Sequence, residues 1–363
     1  MPRPLTIDDL RRYAVARSLG LPSTLGRVIA RMGYVQADPI RAPARAQDLI
    51  LRHRVRDYRA GDLEAAYPRL AVEEDYFVNY GFVPRALSAL MHPRTARRVW
   101  TATERRRAAA VLEFVRARRH AHPADVDAHF AHGHATNWFG GRSRVSTQLL
   151  DGMHYRGLLR IARRDGGIRV YAAREHAPSD RAPEDMLDAL LVVALALYAP
   201  LPAARLGFLL SGLLHYGVPQ WRALRAAALA RARERADGAV VDGTRWLWPA
   251  GESPRAVGAR CDERVRLLAP FDPIVWDRQR FEQFWGWAYR FEAYTPAAKR
   301  VRGYYALPVL WRDAVIGWAN VSVRGGVLVP RLGFVAGDAP RDAAFAPALE
   351  AEVGAMREFL GVR

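Results

Sequence analysis

Two polar side chains, Gln36 and Asp38, stand two residues apart in a short stretch that ends at Pro39. In an extended backbone, residues at that spacing point to the same face, so their side chains can act together. The amide can orient a water molecule, and the carboxylate can accept its proton or face a developing positive charge. The alternative is a polar edge strand followed by a turn-forming Asp-Pro pair.

The segments around this stretch predict a rigid corner. Apolar residues in Leu25–Met32 follow a helical period, and Gly33 ends that helix before a brief extended piece. A helix over residues 6–20 comes before, and another over about 43–54 comes after. Helix, helix, corner and helix are compatible with a helix-turn-helix variant. We assign residues 1–100 to an N-terminal winged-helix-like domain that carries the Gln-x-Asp corner.

The composition indicates a polyanionic partner. The chain has 363 residues, a net charge of +18 and a pI near 10.8, which fits nucleic acid first and an anionic membrane second. Nearly all of the positive charge is arginine, which can bind a phosphate through two parallel hydrogen bonds. Lys299 is the only lysine, so Schiff-base chemistry has only this side chain or the N-terminus as its amine.

Several classes of protein are excluded. The single cysteine, Cys261, rules out an internal disulfide, a cysteine-based zinc site and a four-cysteine iron–sulfur cluster. Histidines gather between His120 and His134, but no carboxylate or cysteine pattern completes a metal site, and we expect neither metal nor cofactor. Motifs of ATPases, serine hydrolases and metalloproteases are missing. The N-terminus does not resemble a signal peptide and the apolar run Leu187–Ala199 is too short for a bilayer, so we expect a bacterial cytoplasmic protein at the nucleoid.

Residues 94–174 are the most basic part of the chain, with 17 arginines against 6 acidic residues. Two predicted helices, a Gly-rich loop with Trp138, a third helix and a hairpin at Asp165-Gly166 follow one another, which is the order of a winged helix. The alternative is a solvated basic surface. The third helix would lie near a DNA groove, and the arginines expected near phosphates are Arg142, Arg144 and Arg156.

The remaining segments predict two further domains. Helices followed by a hairpin recur after residue 183, and Val-, Tyr- and Trp-rich runs that alternate as strands fill the C-terminal part before a last helix. We therefore expect an α+β, mostly helical fold with tandem winged helices and a C-terminal β-barrel-like domain. After the first domain, the predicted domains are a strongly basic winged helix at 101–178, a third winged helix at 179–255, and the barrel-like domain with its terminal helix at 256–363.

Two blocks of sequence carry a family resemblance. Gly-Tyr-Val-Gln-Ala-Asp-Pro-Ile at 33–40 is followed by Arg-Ala-Gln-Asp-Leu-Ile-Leu at 45–51. Leu-Leu-Ala-Pro-Phe-Asp-Pro-Ile-Val-Trp-Asp-Arg spans 267–278, and matches continue through 289–300 and 303–308. In this order the blocks resemble the AlkZ/YcaQ family of winged-helix DNA glycosylases over essentially the whole chain. That family carries Gln-x-Gln or Gln-x-Asp in the first block, and the Gln-x-Asp pair resembles its YcaQ-like branch.

One segment departs from the family pattern. The family usually has a Trp and a His-Ala or His-Glu pair before a Leu-Pro, where this chain has Asn79, Tyr80 and Gly81. If that histidine helps to shape the lesion site, its absence changes the range of substrates.

The resemblance implies a monofunctional DNA glycosylase that hydrolyses the N-glycosidic bond of alkylated purines, of the N7-alkylguanine type, including bulky adducts and interstrand crosslinks. Base release passes through an oxocarbenium-like state, which needs negative charge and a positioned water. Asp38 would activate water or stabilise the sugar cation, and Gln36 would hold water or sugar. An alkylated, cationic base leaves without an acid, and bulky lesions argue against a deep pocket for a flipped base.

The expected partner is double-stranded DNA that contains alkylated bases, bound by a monomer. Two other functions stay open: a winged-helix transcriptional regulator, which would be a two-fold dimer on one undamaged sequence, and a damage binder without activity. The Gln-x-Asp pair favours the enzyme, because a regulator does not need it. Further candidate DNA contacts, each with a structural alternative, are Arg45, Arg52, Trp276, Asp277, Arg278, Lys299, Arg300 and Arg312.

Overall fold

The structure is a computed structural model, and it describes residues 3–96, 98–131, 133–136, 142–176, 180–256 and 262–363. The first helix begins as its sequence predicts, since Thr6 and Asp9 form a capping box. The elements of the first part are α1 (Ile7–Leu19), α2 (Leu25–Met32), β1 (Val35–Gln36), α3 (Ala46–Leu51), α4 (Asp62–Ala66), β2 (Val72–Tyr76), β3 (Tyr80–Pro84) and α5 (Arg85–Ala89). The three strands form one antiparallel sheet in the order β1-β3-β2.

The basic segment has the predicted order of helices and hairpin. Gly166 and Gly167 turn the hairpin with φ angles of 57° and 85°, in the left-handed region that glycine adopts without a steric cost. The elements are α6 (Ala102–Arg118), α7 (Pro123–Phe130), β4 (His134–Thr136), β5 (Arg142–Arg144), α8 (Val145–Arg156), β6 (Leu159–Asp165) and β7 (Ile168–Ala173). The β6–β7 hairpin packs against the first part of the chain, where the Tyr67 hydroxyl donates to the carbonyl of Ile161 (3.0 Å).

The third segment is helical with a small sheet. Its last predicted helix is shorter than expected, because a 3-10 turn at Pro219–Leu224 comes first. Asp242 and Gly243 form the predicted hairpin turn, both with positive φ. The elements are α9 (Pro183–Tyr198), β8 (Leu201–Pro202), α10 (Ala203–Tyr216), α11 (Arg225–Arg235), β9 (Asp237–Val241) and β10 (Thr244–Trp248), with strand order β8-β10-β9.

The C-terminal segment is a four-stranded antiparallel sheet that curls into a half-barrel rather than a closed barrel. The backbone NH of Leu267 donates to the Glu352 carboxylate (2.8 Å), which ties the last helix to the first strand of this sheet. The elements are β11 (Val265–Leu267), α12 (Pro273–Trp276), α13 (Arg278–Trp285), β12 (Leu307–Trp311), β13 (Ala314–Arg324), β14 (Val327–Phe334) and α14 (Phe345–Leu360).

The four segments share their interior. One cluster of buried apolar side chains extends from Val28 in α2 through Leu150 and Leu210 to Phe359 in α14. In the described part of the chain, no helix is both long enough and apolar enough to cross a bilayer. The site around Asp38 therefore rests on a core to which distant parts of the sequence contribute.

Candidate active site

A tight approach of two strands positions the corner after β1. Gly81 lies opposite Gln36, and a Cβ atom at Gly81 would lie 2.3 Å from the carbonyl oxygen of Val35. Only glycine fits there. The backbone NH of Ala37 donates to the carbonyl of Tyr80 (3.0 Å), which extends the pairing by one residue and holds Asp38 at the edge of the sheet.

The helix before the corner ends where the sequence predicts. Gly33 has a φ of 71°, and a Cβ atom there would lie 2.3 Å from the side chain of Val193 in α9. Left-handed backbone and close packing both require glycine at this position. Because α9 belongs to another segment, the corner is braced from outside its own sheet.

Asp38 borders a polar cavity of about 360 Å³. Its walls come from the corner, from α3 and α4, from the β2–β3 pair and from the β6–β7 hairpin. The side chains that carry charge or a hydroxyl there are Asp38, Arg45, Asp48, Glu64, Tyr67, Glu74, Tyr80, Arg164 and Arg169.

The Asp38 carboxylate is half-buried and has no cationic partner. One oxygen accepts from the backbone NH of Ile40 (2.9 Å), and no Arg, Lys or His among the described residues lies within ion-pair distance. Burial raises the pKa of Asp38, because the hydrogen bond from Ile40 offsets only part of the cost of desolvation. The NH of Asp38 faces the side-chain oxygen of Gln47 at 3.4 Å. A carboxylate held in this way can accept a proton or stabilise a cation.

Gln36 does not line this cavity. Its side chain is buried in a small, mainly apolar space next to Ile50, Tyr198 and Phe271, and its Oε1 has no hydrogen-bond partner. The strand ends at Gln36, so the alternation of side chains does not extend to Asp38. The predicted common face of the two side chains is therefore wrong for this structure.

The second sequence block lies beside the first. Burial raises the pKa of Tyr305, and the negative charge of Asp38 adds to the shift. Arg54 and Asp272 form a fully buried two-point ion pair (2.7 and 2.9 Å) between the blocks.

Three consecutive acidic residues in β2 were not identified from the sequence. Glu73, Glu74 and Asp75 are each at most 1 % exposed, although a strand in a half-buried sheet usually alternates. The β6–β7 hairpin with its flank and the segment from Arg85 to Arg94 each supply half of their partners. The cations and hydrogen-bond donors around the three carboxylates are Arg85, Ser88, His92, Arg94, Arg160, Arg164, Arg169 and Arg174.

Charge pairing reverses the effect of burial on the pKa of two of these β2 carboxylates. Burial disfavours the ionised form of Asp75, but His92, Arg94 and Arg174 outweigh burial and hold its pKa well below the ordinary value. The pKa of Glu74 is also lowered, because the ion pair with Arg164 outweighs the cost of desolvation. Several arginines that the basic composition assigned to DNA are thus partners of acidic residues inside the protein.

Four residues that were predicted to contact DNA bind or pack against other parts of the protein. Arg52 is buried on Glu352 (2.7 Å), and Asp277 is buried, caps α13 and binds Arg205 (2.7 Å). Arg278 donates to the carbonyls of Val275 and Pro270 at 2.7 and 2.9 Å, and Trp276 stacks on Tyr198 with ring centroids 4.4 Å apart. The burial of the Arg52 and Asp277 side chains corrects the expectation that these two contact DNA, whereas Trp276 and Arg278 keep part of their surface exposed.

Four other predicted contacts have partners but keep some exposure. Arg45 binds Glu64 (2.7 Å) at the cavity rim, and Arg144 binds Asp127. Arg156 lies 3.8 Å above the ring of Trp100, and Arg312 binds Asp342 (3.0 Å). The side chains of Trp138 and Arg142 lie outside the described residues.

Lys299 and Arg300 lie in a surface loop of residues 290–304, here called the aromatic loop. Lys299 is exposed, and no carboxylate in the described ranges lies within ion-pair distance of either side chain. Two apolar side chains of the same loop that the sequence reading did not select, Tyr294 and Val301, are 82 % and 76 % exposed. Periodicity in the sequence does not reveal this exposure.

A basic chain with a mixed α/β fold and an unpaired carboxylate in a polar cavity fits an enzyme that acts on DNA. A family model described as DNA glycosylase AlkZ-like matches residues 29–359. The fold is similar to that of the Streptomyces sahachiroi DNA glycosylase AlkZ, with a TM-score of 0.64 and 13 % identity over 99 % of this chain and 98 % of that chain. The chain belongs to the AlkZ-like DNA glycosylase family. The family resemblance drawn from the sequence is confirmed, and the protein is a DNA glycosylase with DNA as its partner.

Proposed function

We propose that this glycosylase is monofunctional and releases alkylated purines, of the N7-alkylguanine type, from double-stranded DNA in base excision repair at the bacterial nucleoid. The observation that carries the proposal is the position of Asp38, an ionisable group without a cationic partner at the edge of a polar cavity. We further propose the YcaQ-like branch, on the Gln-x-Asp pair.

Asp38 acts on the sugar. As the bond between C1′ and the base nitrogen breaks, positive charge develops on the deoxyribose, and the electron pair of the bond leaves with the base. The carboxylate has no arginine to neutralise it, so its charge is available to that cation. Water then forms the new bond to C1′, and its proton passes to Asp38. A carboxylate with a raised pKa accepts that proton more readily.

Gln36 acts on water or sugar only after a change of rotamer. Its carbonyl oxygen has no partner in the free protein, so the side chain loses no hydrogen bond at that atom when it turns. The Gln36 amide can then hold the attacking water beside Asp38.

Among the described residues, none with an amine side chain lines the cavity. Lys299 lies in the aromatic loop and is absent from the cavity wall, which supports hydrolysis by water rather than a Schiff base. Lys299 and Arg300 are proposed phosphate contacts, together with Arg45, Arg142, Arg144, Arg156 and Arg312. We extend the substrate range to bulky adducts and interstrand crosslinks, because the cavity is large and open to solvent.

The test is release of base from DNA that carries N7-methylguanine or a mustard crosslink, read as strand breaks after alkali treatment. Wild type should release base, Asp38→Asn should fall to near the uncatalysed rate, and Gln36→Ala should be partly active. Asp165→Asn, in an exposed hairpin turn, is the matched control for loss of one carboxylate. Release by Asp38→Asn at the wild-type rate would disprove the assignment.

A further inference from the structure

The aromatic loop presents large apolar side chains to solvent. Tyr294 is 82 % exposed and Val301 is 76 % exposed, and Tyr304 at the end of the loop is 44 % exposed. Exposed apolar residues scattered singly need no explanation, but three in one loop indicate a contact surface.

The loop is held in a defined shape. The Glu292 carboxylate accepts from the backbone NH groups of Arg302 (2.8 Å) and Gly303 (3.1 Å), which closes the loop at its base. The Arg300 Nε donates to the carbonyl of Thr295 (2.8 Å) across the loop. Little conformational entropy remains to be lost when such a loop binds.

The base of the loop packs against aromatic rings that reach the Gln-x-Asp corner. The ring of Phe291 lies 5.3 Å from that of Tyr305, centroid to centroid, and 5.0 Å from that of Phe271. Phe271 in turn lines the space that holds Gln36. The exposed tip is thus connected by one layer of aromatic rings to the corner that carries Asp38.

The positive charge of the aromatic loop indicates the class of its partner. Arg290 and Lys299 are exposed, and Arg300 lies over the ring of Tyr304 at 5.1 Å. Cations that flank aromatic and branched apolar side chains match a nucleic acid, which offers phosphates outside and base faces inside. An apolar protein surface would leave these cations without partners.

We propose that the aromatic loop is a wedge, in which Tyr294, supported by Val301, enters the base stack next to the lesion while Lys299 and Arg300 hold the flanking phosphates. The wedge unstacks the damaged nucleotide and presents its sugar to Asp38. This inference rests on the proposed function of Asp38, and Tyr294 is a residue that contacts the DNA substrate rather than the reacting atoms.

The principal variant is Tyr294→Ala, with Tyr294→Phe as the conservative partner. Because the side chain is so exposed, neither change should lower the unfolding temperature. Base release from fully paired duplex under single-turnover conditions should fall about tenfold for alanine and stay near wild type for phenylalanine, since stacking needs the ring and not the hydroxyl. Leu21→Ala is the matched control, an apolar residue that is 87 % exposed between α1 and α2.

A second substrate separates unstacking from chemistry. Opposite an abasic-site analogue the lesion is unpaired and costs less to displace, so Tyr294→Ala should recover to within about threefold of wild type there. The fluorescence of 2-aminopurine beside the lesion should rise when wild type binds and should not rise with Tyr294→Ala. Asp38→Asn should be inactive on both substrates and still raise the fluorescence.

The outcomes distinguish the two proposals. If Asp38→Asn releases base normally, the proposed function fails whatever Tyr294 does. If Asp38→Asn is inactive while Tyr294→Ala matches wild type on paired duplex, the wedge is wrong and the proposed function stands. Equal losses on paired and unpaired lesions, or an equal loss for Leu21→Ala, would also overturn the wedge.

Discussion

Asp75 lies in the three-stranded sheet and Asp38 lies just beyond its first strand, yet their carboxylates behave in opposite ways. Asp75 is fully buried in β2 and pairs with Arg94 and Arg174, and its pKa lies well below the ordinary value. Asp38 is only half-buried just beyond β1, no cation of the described residues lies within ion-pair distance of it, and its pKa is raised. Partners rather than depth decide the direction of the shift.

The contrast separates structural from functional charge in a strongly basic protein. With a net charge of +18, cations to pair with a carboxylate are plentiful, and the three acids of β2 are all paired. A carboxylate left unpaired beside a cavity is therefore informative. Its missing partner can be the cation that forms on the substrate during the reaction.

The largest expected effect is the loss of activity in Asp38→Asn. Removing a group that accepts a proton and faces a cation should slow base release by about 10²–10⁴-fold. The raised pKa means that folding disfavours the ionised carboxylate, so the asparagine variant should be at least as stable as wild type at neutral pH. Single-turnover kinetics measure the rate of base release, and thermal unfolding followed by circular dichroism measures the stability. Parallel loss of activity and stability would make Asp38 structural, like Asp75.

Asp75→Asn should show the reverse pattern. The change leaves Arg94 and Arg174 buried without their carboxylate, which should lower the free energy of unfolding by about 3–5 kcal/mol. Urea unfolding measures the loss. Asp165→Asn, whose pair with Arg163 is exposed, should cost less than about 1 kcal/mol. An equally small loss for Asp75→Asn would remove the distinction between the paired carboxylates of β2 and the unpaired carboxylate of Asp38.

Local sequence signals predicted most of the secondary structure. The stop at Gly33 and the hairpin turn at Asp165-Gly166 both appear where the sequence places them, because each depends on neighbours within a few residues. The expected β-barrel-like domain is a curled half-barrel, and its degree of closure depends on pairing between distant strands, which local patterns do not report.

The site was only partly predictable for the same reason. Asp38 could be found from its spacing and its motif, but the separate burial of Gln36 depends on Tyr198 and Phe271, far along the chain. Composition could not tell arginines that bind DNA from those that bind the acids of β2. The burial of Arg52 on Glu352 joins residues 300 positions apart, which no local pattern reports.

The pH dependence should separate the two kinds of carboxylate. Base release needs ionised Asp38, so it should fall as pH drops through a pKa above the roughly 3.9 of an ordinary aspartate. The pKa values of Glu74 and Asp75 are lowered in the folded state, so their contribution to stability is present above their unfolded values and is lost only as pH falls through the lower folded ones. Activity should therefore be lost while circular dichroism still reports a folded protein. Simultaneous loss of both would contradict the difference.

The smallest expected effect is that of one phosphate contact. Lys299→Ala should weaken binding to undamaged duplex a few-fold and reduce the slope of log K against log salt concentration by about 1, because one fewer phosphate is neutralised. Arg163→Ala is the control from the basic hairpin, where Asp165 already pairs with the guanidinium at 2.9 Å, and its slope should stay near that of wild type. Fluorescence anisotropy over a series of salt concentrations gives both slopes. An unchanged slope for Lys299→Ala with a reduced slope for Arg163→Ala would place the DNA on the hairpin rather than on the aromatic loop, and the arginines around β2 would then have to exchange their acidic partners for phosphates.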